Sequence, residues 1–398
     1  MAQINTDALF PLLDVFSIEL PSWGFADTGT RFGKFAQPAA ARSIDEKLAD
    51  AAQVHQHTGA APRVAVHALW DFPGGAADVA GPLDIARQLG VSIGTVNPNY
   101  FQDQVYKYGS ACSGNPEARA MAHRHSLDCI ALAKAIGTDA WALWFADGTN
   151  YPGQDDILSR KKRMHAALKQ WHDATPDGMT MYVEYKPFEP AFYHTDIADW
   201  GMAATFCRHA GPRAKVLVDT GHHLPGANIE HIVAFLIDEN LLGGFHFNDR
   251  KYADDDLTLG SIDPYMVFRI FHEIRNAAEL HGHDVSGIAY TVDQSHNLKP
   301  KIEAMLQTVV HAQELYAKAC LVDRKALATL QARADIVGAE TLLRDAFYTD
   351  VRPALAEWRV ARKLAADPVA AFRSSGYEAK VARERTAKYG LATSGGYA

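Results

Sequence analysis

Four short apolar runs in the second half of the chain each stop on side chains able to bind a cation. VEYK ends one run with Glu184 and Lys186, and LVDTGHH ends the next with Asp219, His222 and His223. FHFND carries His246 and Asp249, and TVDQSHN carries Asp293 and His296. A carboxylate or imidazole at the end of a buried run is costly to desolvate unless it is paired or bound to a cation. Taken singly, such an acid is a helix cap or salt-bridge partner, and such a histidine is a core residue. Four in succession point instead to one metal site built from Glu184, Asp219, His246 and Asp293. Three carboxylates and an imidazole without a thiolate suit Mn²⁺ first, then Mg²⁺, with Co²⁺ or Zn²⁺ also able to occupy the site.

After Asp249 comes KYADDDLTLG, with Asp254, Asp255 and Asp256 in a row. Alone this reads as a solvated turn, and its spacing is not that of an EF-hand. Beside a strand-end site, these acids together with His222 could hold a second cation, giving a substrate both an anchor and a Lewis acid. His67, Trp70, Trp144 and Lys186 sit where a pocket would be lined, and aromatic walls with a few fixed polar groups suit a sugar. The His272–Glu273 pair lacks the second histidine of a zinc-protease helix, since residue 276 is asparagine.

The elements that must position these groups are short β-rich runs alternating with helical patterns. Eight strands are predicted, near Leu13–Leu20, Arg63–His67, Val91–Asn97, Ala140–Phe145, Thr180–Lys186, Lys215–Asp219, Gly244–Asn248 and Ile288–Asp293. Asn228 caps a predicted helix with Ile229, Ile232, Val233, Leu236 and Ile237 on one face, and Gly243 with Gly244 ends that crossover. Eight strand–helix units predict an α/β (β/α)8 TIM barrel, whose active sites lie at the carboxyl ends of the strands. An open doubly wound sheet usually shows a Gly-rich nucleotide turn after its first strand. Here that strand runs into PSWGFADTGTRFGKF, which has no GxGxxG and is too aromatic and basic for a plain linker. From about Val322 the pattern becomes helical to the end, with Thr349 able to cap a helix whose first turn holds Pro353 and whose one side carries Val351, Leu355 and Trp358. The division expected is a barrel over 1–321 and a helical C-terminal extension over 322–398, packed on the barrel or on a neighbouring subunit.

The chain has 398 residues, 48% of them hydrophobic, and a formal net charge of -8. No basic stripe is present for a phosphate backbone to follow, so nucleic acid is not expected as a partner. The N-terminus lacks the pattern of a signal peptide and no uncharged apolar run is long enough to span a membrane, so no membrane association is expected. Cys112, Cys129, Cys207 and Cys320 are far apart and form no CxxC pair, which suits reduced thiols in the cytoplasm.

PSWG with GTRF, DGTNYPGQ, EPAFYHTDIADWG, LVDTGHH, GGFHFNDRKYADDDL and VDQSHN together resemble the L-rhamnose isomerase family, in its bacterial branch of broad-specificity aldose–ketose isomerases. The resemblance covers almost the whole chain. It implies a (β/α)8 barrel, a homotetramer and two divalent cations, commonly Mn²⁺. One ion falls to Glu184, Asp219, His246 and Asp293, and the second to His222 and Asp254, with Glu184 shared and Asp256 nearby. Substrate contacts match His67, Trp70, Trp144 and Lys186, with Asp293 and Ser295 near the reacting carbons. Phe32 matches the aromatic residue a partner subunit contributes. Two departures are Tyr185, where relatives often have histidine, and a Trp23 loop one residue shorter. On an alternating strand Tyr185 points away from Glu184 and Lys186, so ligation should survive.

The expected reaction interconverts L-rhamnose and L-rhamnulose by hydrogen transfer between C1 and C2, with Lys186 facing the developing oxyanion and Asp254 orienting a proton-relaying water. The alternatives are a barrel sugar epimerase, a metal-dependent phosphodiesterase of the endonuclease type, which the acidic balance disfavours, and a catalytically silent sugar-binding protein.

Overall fold

A computed structural model of the chain describes residues 4–30, 33–189 and 193–390. Eight parallel strands close a barrel: β1 (Glu19–Pro21), β2 (Arg63–His67), β3 (Ser92–Asn97), β4 (Ala140–Leu143), β5 (Thr180–Glu184), β6 (Ala214–Asp219), β7 (Leu242–Phe247) and β8 (Ala289–Val292). Each strand pairs with its neighbours in sequence, and β1 closes the ring by pairing with both β2 and β8. This is the (β/α)8 barrel expected from the alternation, with a helical C-terminal region following it.

Burial explains why the strands read as near-continuous apolar runs. Their outward residues, such as Val64, Val66, Met181, Val183, Val216, Val218, Phe245 and Phe247, pack in the main core beneath the helices. Inside the barrel a smaller cluster of Ala140, Ala142, Tyr182 and Leu217 fills the lower layers. Glu19 lies at the amino ends of the strands, accepting hydrogen bonds from Thr95 N and the hydroxyls of Thr95 and Thr291 at 2.7–2.8 Å. With its floor so filled, the barrel opens at the carboxyl ends, where the candidate ligands lie.

Three expectations are corrected. The first apolar run is not one strand: Thr6–Val15 is a helix, capped by Asn5 whose side chain accepts from Ala8 N, and the strand is confined to Glu19–Pro21. Gly243 and Gly244 do not end the crossover but lie within β7. A Cβ at Gly243 would stand 2.6 Å from Lys215 Cβ, and one at Gly244 would stand 2.8 Å from Ala289 O, so glycine here permits close strand packing. Thr349 does not cap the following helix; it ends Ile336–Tyr348, with its hydroxyl on Asp345 O, while Asp350 accepts from Arg352 N. Two local readings agree with the structure. Asn228 caps Ile229–Asp238 by accepting from His231 N, and Val351, Leu355 and Trp358 are buried together.

The C-terminal helices fold back on the barrel. Trp358 donates to Asp14, and the Arg385 guanidinium, in the helix Tyr377–Tyr389, donates to both oxygens of the buried Asp50 at 2.8 Å each. Removing one partner of a buried pair leaves an uncompensated group and costs about 3–5 kcal/mol. The Arg385→Ala protein is therefore expected to unfold at lower denaturant, losing about 3 kcal/mol in equilibrium urea titrations; an unchanged midpoint would show that this helix contributes little to the barrel's stability.

Candidate metal centre

Register places the ligands side by side. Leu217 pairs with Glu184, Asp219 with His246, and Phe247 with Val292, so Glu184 and Asp219 end adjacent strands, His246 is the last residue but one of β7, and Asp293 follows one residue beyond β8. One ligand atom from each of these four residues lies within 4.8 Å of the others. Asp219, His222 and Asp254 form a second such group, sharing Asp219 with the first. The expectation that Asp219 serves only the first group is thus refined, because its carboxylate sits between both. Glu184 also bridges them, with Oε1 at 3.2 Å from His222 Nδ1 and Oε2 at 3.3 Å from His246 Nδ1.

Orienting bonds leave the ligand atoms turned inward. Asp219 Oδ1 accepts from Gly221 N, His222 N and Asn248 Nδ2, whereas Oδ2 is buried without a hydrogen-bond partner. The carbonyl of Tyr185 lies 3.0 Å from His222 Nδ1; a proton held there leaves the Nε2 lone pair facing Asp254 Oδ2 at 3.4 Å and Asp219 Oδ2 at 3.9 Å. His246 Nδ1 and Asp254 Oδ1 are likewise buried and unpartnered. Native interiors seldom leave polar atoms so. Three such atoms at one site, beside the other carboxylates, fit a divalent cation, and the outer bonds to Asn248 and Tyr185 are of the kind that orient metal ligands.

The electrostatics agree. Burial raises the Asp219 carboxyl well above its usual range, and the carboxylates of Glu184, Asp254 and Asp293 add to this against His222. Burial would lower His246, but Glu184 and Asp293 carry it up to about 9. Without a cation, protons must occupy this site at neutral pH, and a binding cation must displace them. Each proton displaced makes affinity rise about tenfold per pH unit below the ligand's pKa. Mn²⁺ is accordingly expected to bind much more tightly at pH 8 than at pH 6, with proton release in calorimetry; pH-independent affinity would contradict this ligand set.

The other candidate residues fall into place around the cavity. A space of about 230 Å³ is lined by the polar residues Glu184, Lys186, His222, His246, Asp254, Asp256, Asp293 and Ser295 and by the rings of Trp23, His67, Trp70, Phe101 and Trp144. The aromatic rings pack on one another, His67 and Trp70 tilted with centroids 4.1 Å apart and Phe101 and Trp144 edge to face with centroids 5.2 Å apart. Burial holds His67 down to about 3, so it is neutral. Lys186 Nζ bonds both Glu189 and Asp254 at 2.7 Å and lies 5.3 Å from the Trp144 ring centroid. The acidic run divides by role. Asp254 reaches the cluster, Asp255 accepts from Lys251 N and Tyr252 N, and Asp256 reaches the cavity from a left-handed backbone (φ 47°) without joining either ligand group. Phe32 lies outside the described residues.

Several strand-end groups do other work. Asp249 accepts from Arg250 N, Ile262 N and Asp263 N and fixes the following turn, and His296 bonds Gln294. Tyr185 does point away from Glu184: its hydroxyl meets His223 Nε2 at 2.7 Å in a buried pair. Sequence reasoning did not assign Glu189, Phe101, Thr28 or Asn97 to the cavity, nor a role to Trp23. Trp23 and Thr28 had a local signal in the aromatic segment after β1, Glu189 lies three residues beyond Lys186, and Asn97 ends a predicted strand; Phe101 is brought in by tertiary packing.

No protein-family profile matches the chain. Two relatives do, each 41% identical over 392 residues, covering 97% of this chain and 90% of the relative: a probable sugar isomerase of Rhizobium meliloti and another of Mesorhizobium japonicum. Among solved structures, an L-ribulose 3-epimerase superposes with a TM-score of 0.53 at 16% identity, covering 83% of this chain and 97% of the epimerase. A 3-keto-D-glucoside 4-epimerase of E. coli gives 0.54 at 13% identity, covering 74% and 98%. These likenesses establish a shared barrel fold. Among the described residues no helix is long and apolar enough to cross a membrane.

Proposed function

We propose, from the premise that this chain belongs to the family of the two rhizobial probable sugar isomerases, that it interconverts an aldose and its 2-ketose, with L-rhamnose and L-rhamnulose as the pair. The observation that carries the reading is one cavity lined both by cation-binding groups and by packed aromatic rings. Divalent cations, Mn²⁺ first and two in number, would supply Lewis-acid polarisation of the sugar's carbonyl and neighbouring hydroxyl. Glu184, Asp219, His246 and Asp293 would hold one, and His222 and Asp254 the other, with Glu184 shared and Asp256 nearby.

The remaining work falls to side chains. Trp70, Trp144 and His67 offer the apolar face that a 6-deoxy sugar's methyl and C–H groups need. Lys186 sets a positive charge against the oxygen that gains negative charge. Among the described residues the lining has no arginine, and its lysine is already paired twice, so the pocket suits a neutral sugar better than its phosphate. In the isomerisation one hydrogen moves with its electron pair from C2 to C1 while a proton passes from O2 to O1; nothing is gained or lost overall. Asp254 is assigned to orienting the proton relay, and Asp293 and Ser295 to the reacting carbons. Phe32 is assigned to closing a neighbouring protomer's pocket in a homotetramer. Exposed Trp70, Tyr108, Tyr151, Tyr252 and Leu298 are in keeping with such a contact. The reading includes a barrel domain over 1–321 with a helical arm over 322–398, and a cytoplasmic location, to which the free thiols are suited.

The test is product analysis by NMR with Mn²⁺ and L-rhamnose in deuterated water. Appearance of the 2-ketose supports the reading, and little solvent deuterium at the migrating position selects the hydride route over an enediol formed by a carboxylate base. A new aldose or ketose epimer would establish the epimerase reading suggested by the fold relatives, and sugar binding without any product would establish a silent binding protein.

A further inference from the structure

We propose that Trp23 is a positioning residue for the cation site, acting through the carboxylate of Asp293. The inference rests on the reading of Glu184, Asp219, His246 and Asp293 as cation ligands. Trp23 lies in a single 3-10 turn, Ser22–Phe25, directly after β1, and its indole Nε1–H donates to Asp293 Oδ1 at 2.8 Å. The other oxygen, Oδ2, faces His246 Nδ1 at 3.7 Å. One oxygen is thus taken by the indole and the other is turned into the cluster.

The two flanking carboxylates differ in how they are held. Asp219 is fully buried and its outer oxygen accepts three hydrogen bonds. Asp293 is half-buried, with 27% of its side chain exposed; it follows the last residue of β8, and its backbone N–H still donates to Phe247 O at 3.1 Å, but that bond does not hold the side chain. A strand-end carboxylate with that freedom needs a donor to stop its rotation, and ligand-orienting bonds of this kind contribute about 10–100-fold in metal affinity.

The turn that carries the indole is itself held at both ends. Ser22 donates to Asp71 at 2.6 Å, and Asp71 is anchored by Lys47 at 2.6 Å. At Gly24 a Cβ would lie 2.7 Å from the carbonyl oxygen of Gln294, so glycine lets the turn press against the residue that follows Asp293. The Trp23 ring also stands edge-on to His67, with centroids 4.7 Å apart. One side chain therefore joins the aromatic cluster to Asp293.

The test is Mn²⁺ titration followed by electron paramagnetic resonance, without sugar. Trp23→Phe keeps a ring against His67 and removes only the donor; its Mn²⁺ affinity is expected to fall about tenfold while its metal-free melting curve stays that of the wild type. In an Asp293→Asn background the same substitution should change affinity by less than about twofold, because the group it acts through is altered. Wild-type affinity in Trp23→Phe, or a loss that persists in the Asp293→Asn background, would overturn the proposal. Should Trp23→Phe not fold, Gly24→Ala moves the turn off Gln294 while keeping the indole, and the same two-background comparison decides. A failure to isomerise sugars would leave this titration intact, so the two readings fail separately.

Discussion

Asp219→Asn is expected to lower kcat/KM by about a thousandfold or more and to weaken Mn²⁺ binding to both ligand groups, the largest single effect in the site. Two features single this residue out. Its carboxylate belongs to both groups, so its loss cannot be confined to one ion. Its Oδ1 is bound by the amides of Gly221 and His222 and by Asn248, leaving only Oδ2, buried and unpartnered, to face a cation. The asparagine keeps an oxygen for those donors and sets an amide nitrogen, which is not a ligand, at the other position. Folding should therefore survive, and metal-free circular dichroism should match the wild type. Isomerisation at wild-type rate would remove Asp219 from the mechanism altogether.

Lys186→Met is expected to lower kcat by about 10²–10³-fold, the range found when a charge-stabilising group is removed from a water-poor site, with Mn²⁺ affinity changed far less. The ammonium is nearly buried and lies between Asp254, Glu189 and the Trp144 ring. Burial alone would lower its pKa, but Asp254 and Glu189 raise it above the usual lysine range, so it stays charged through the neutral region. A fixed positive charge there opposes the charge that develops on the sugar oxygen, and methionine keeps the stem without it. Steady-state kinetics with KM and kcat resolved would check this. A pure KM effect would make Lys186 a binding group rather than one acting in the transition state.

Much of the barrel, and the grouping of the candidate ligands, was legible in the chain because strand ends in a parallel barrel converge by construction. Glu184, Asp219, His246 and Asp293 needed only alternation and a shared strand end to be grouped. The run Leu13–Leu20 misled because a continuous apolar stretch does not distinguish buried strand from buried helix by periodicity. The helix there is set by Asn5, whose cap lies upstream of the run. Gly243 and Gly244 looked like punctuation, yet close packing against Lys215 and Ala289 decides their place, and those partners lie on other strands. Glu189, Phe101 and the bond from Trp23 to Asp293 depend on loops meeting across the barrel mouth, between residues as far as 270 positions apart. Sequence pattern carries no term for that distance. His223, without a part in the ligand set, proves to be the buried partner of Tyr185.

The most direct measurement is L-rhamnose turnover by protein stripped with EDTA and then titrated with Mn²⁺. Negligible ketose formation is expected in the stripped protein, with full recovery on readdition and a stoichiometry of two ions per chain at saturation. Undiminished turnover by protein shown to be free of metal would contradict the metal-dependent reading.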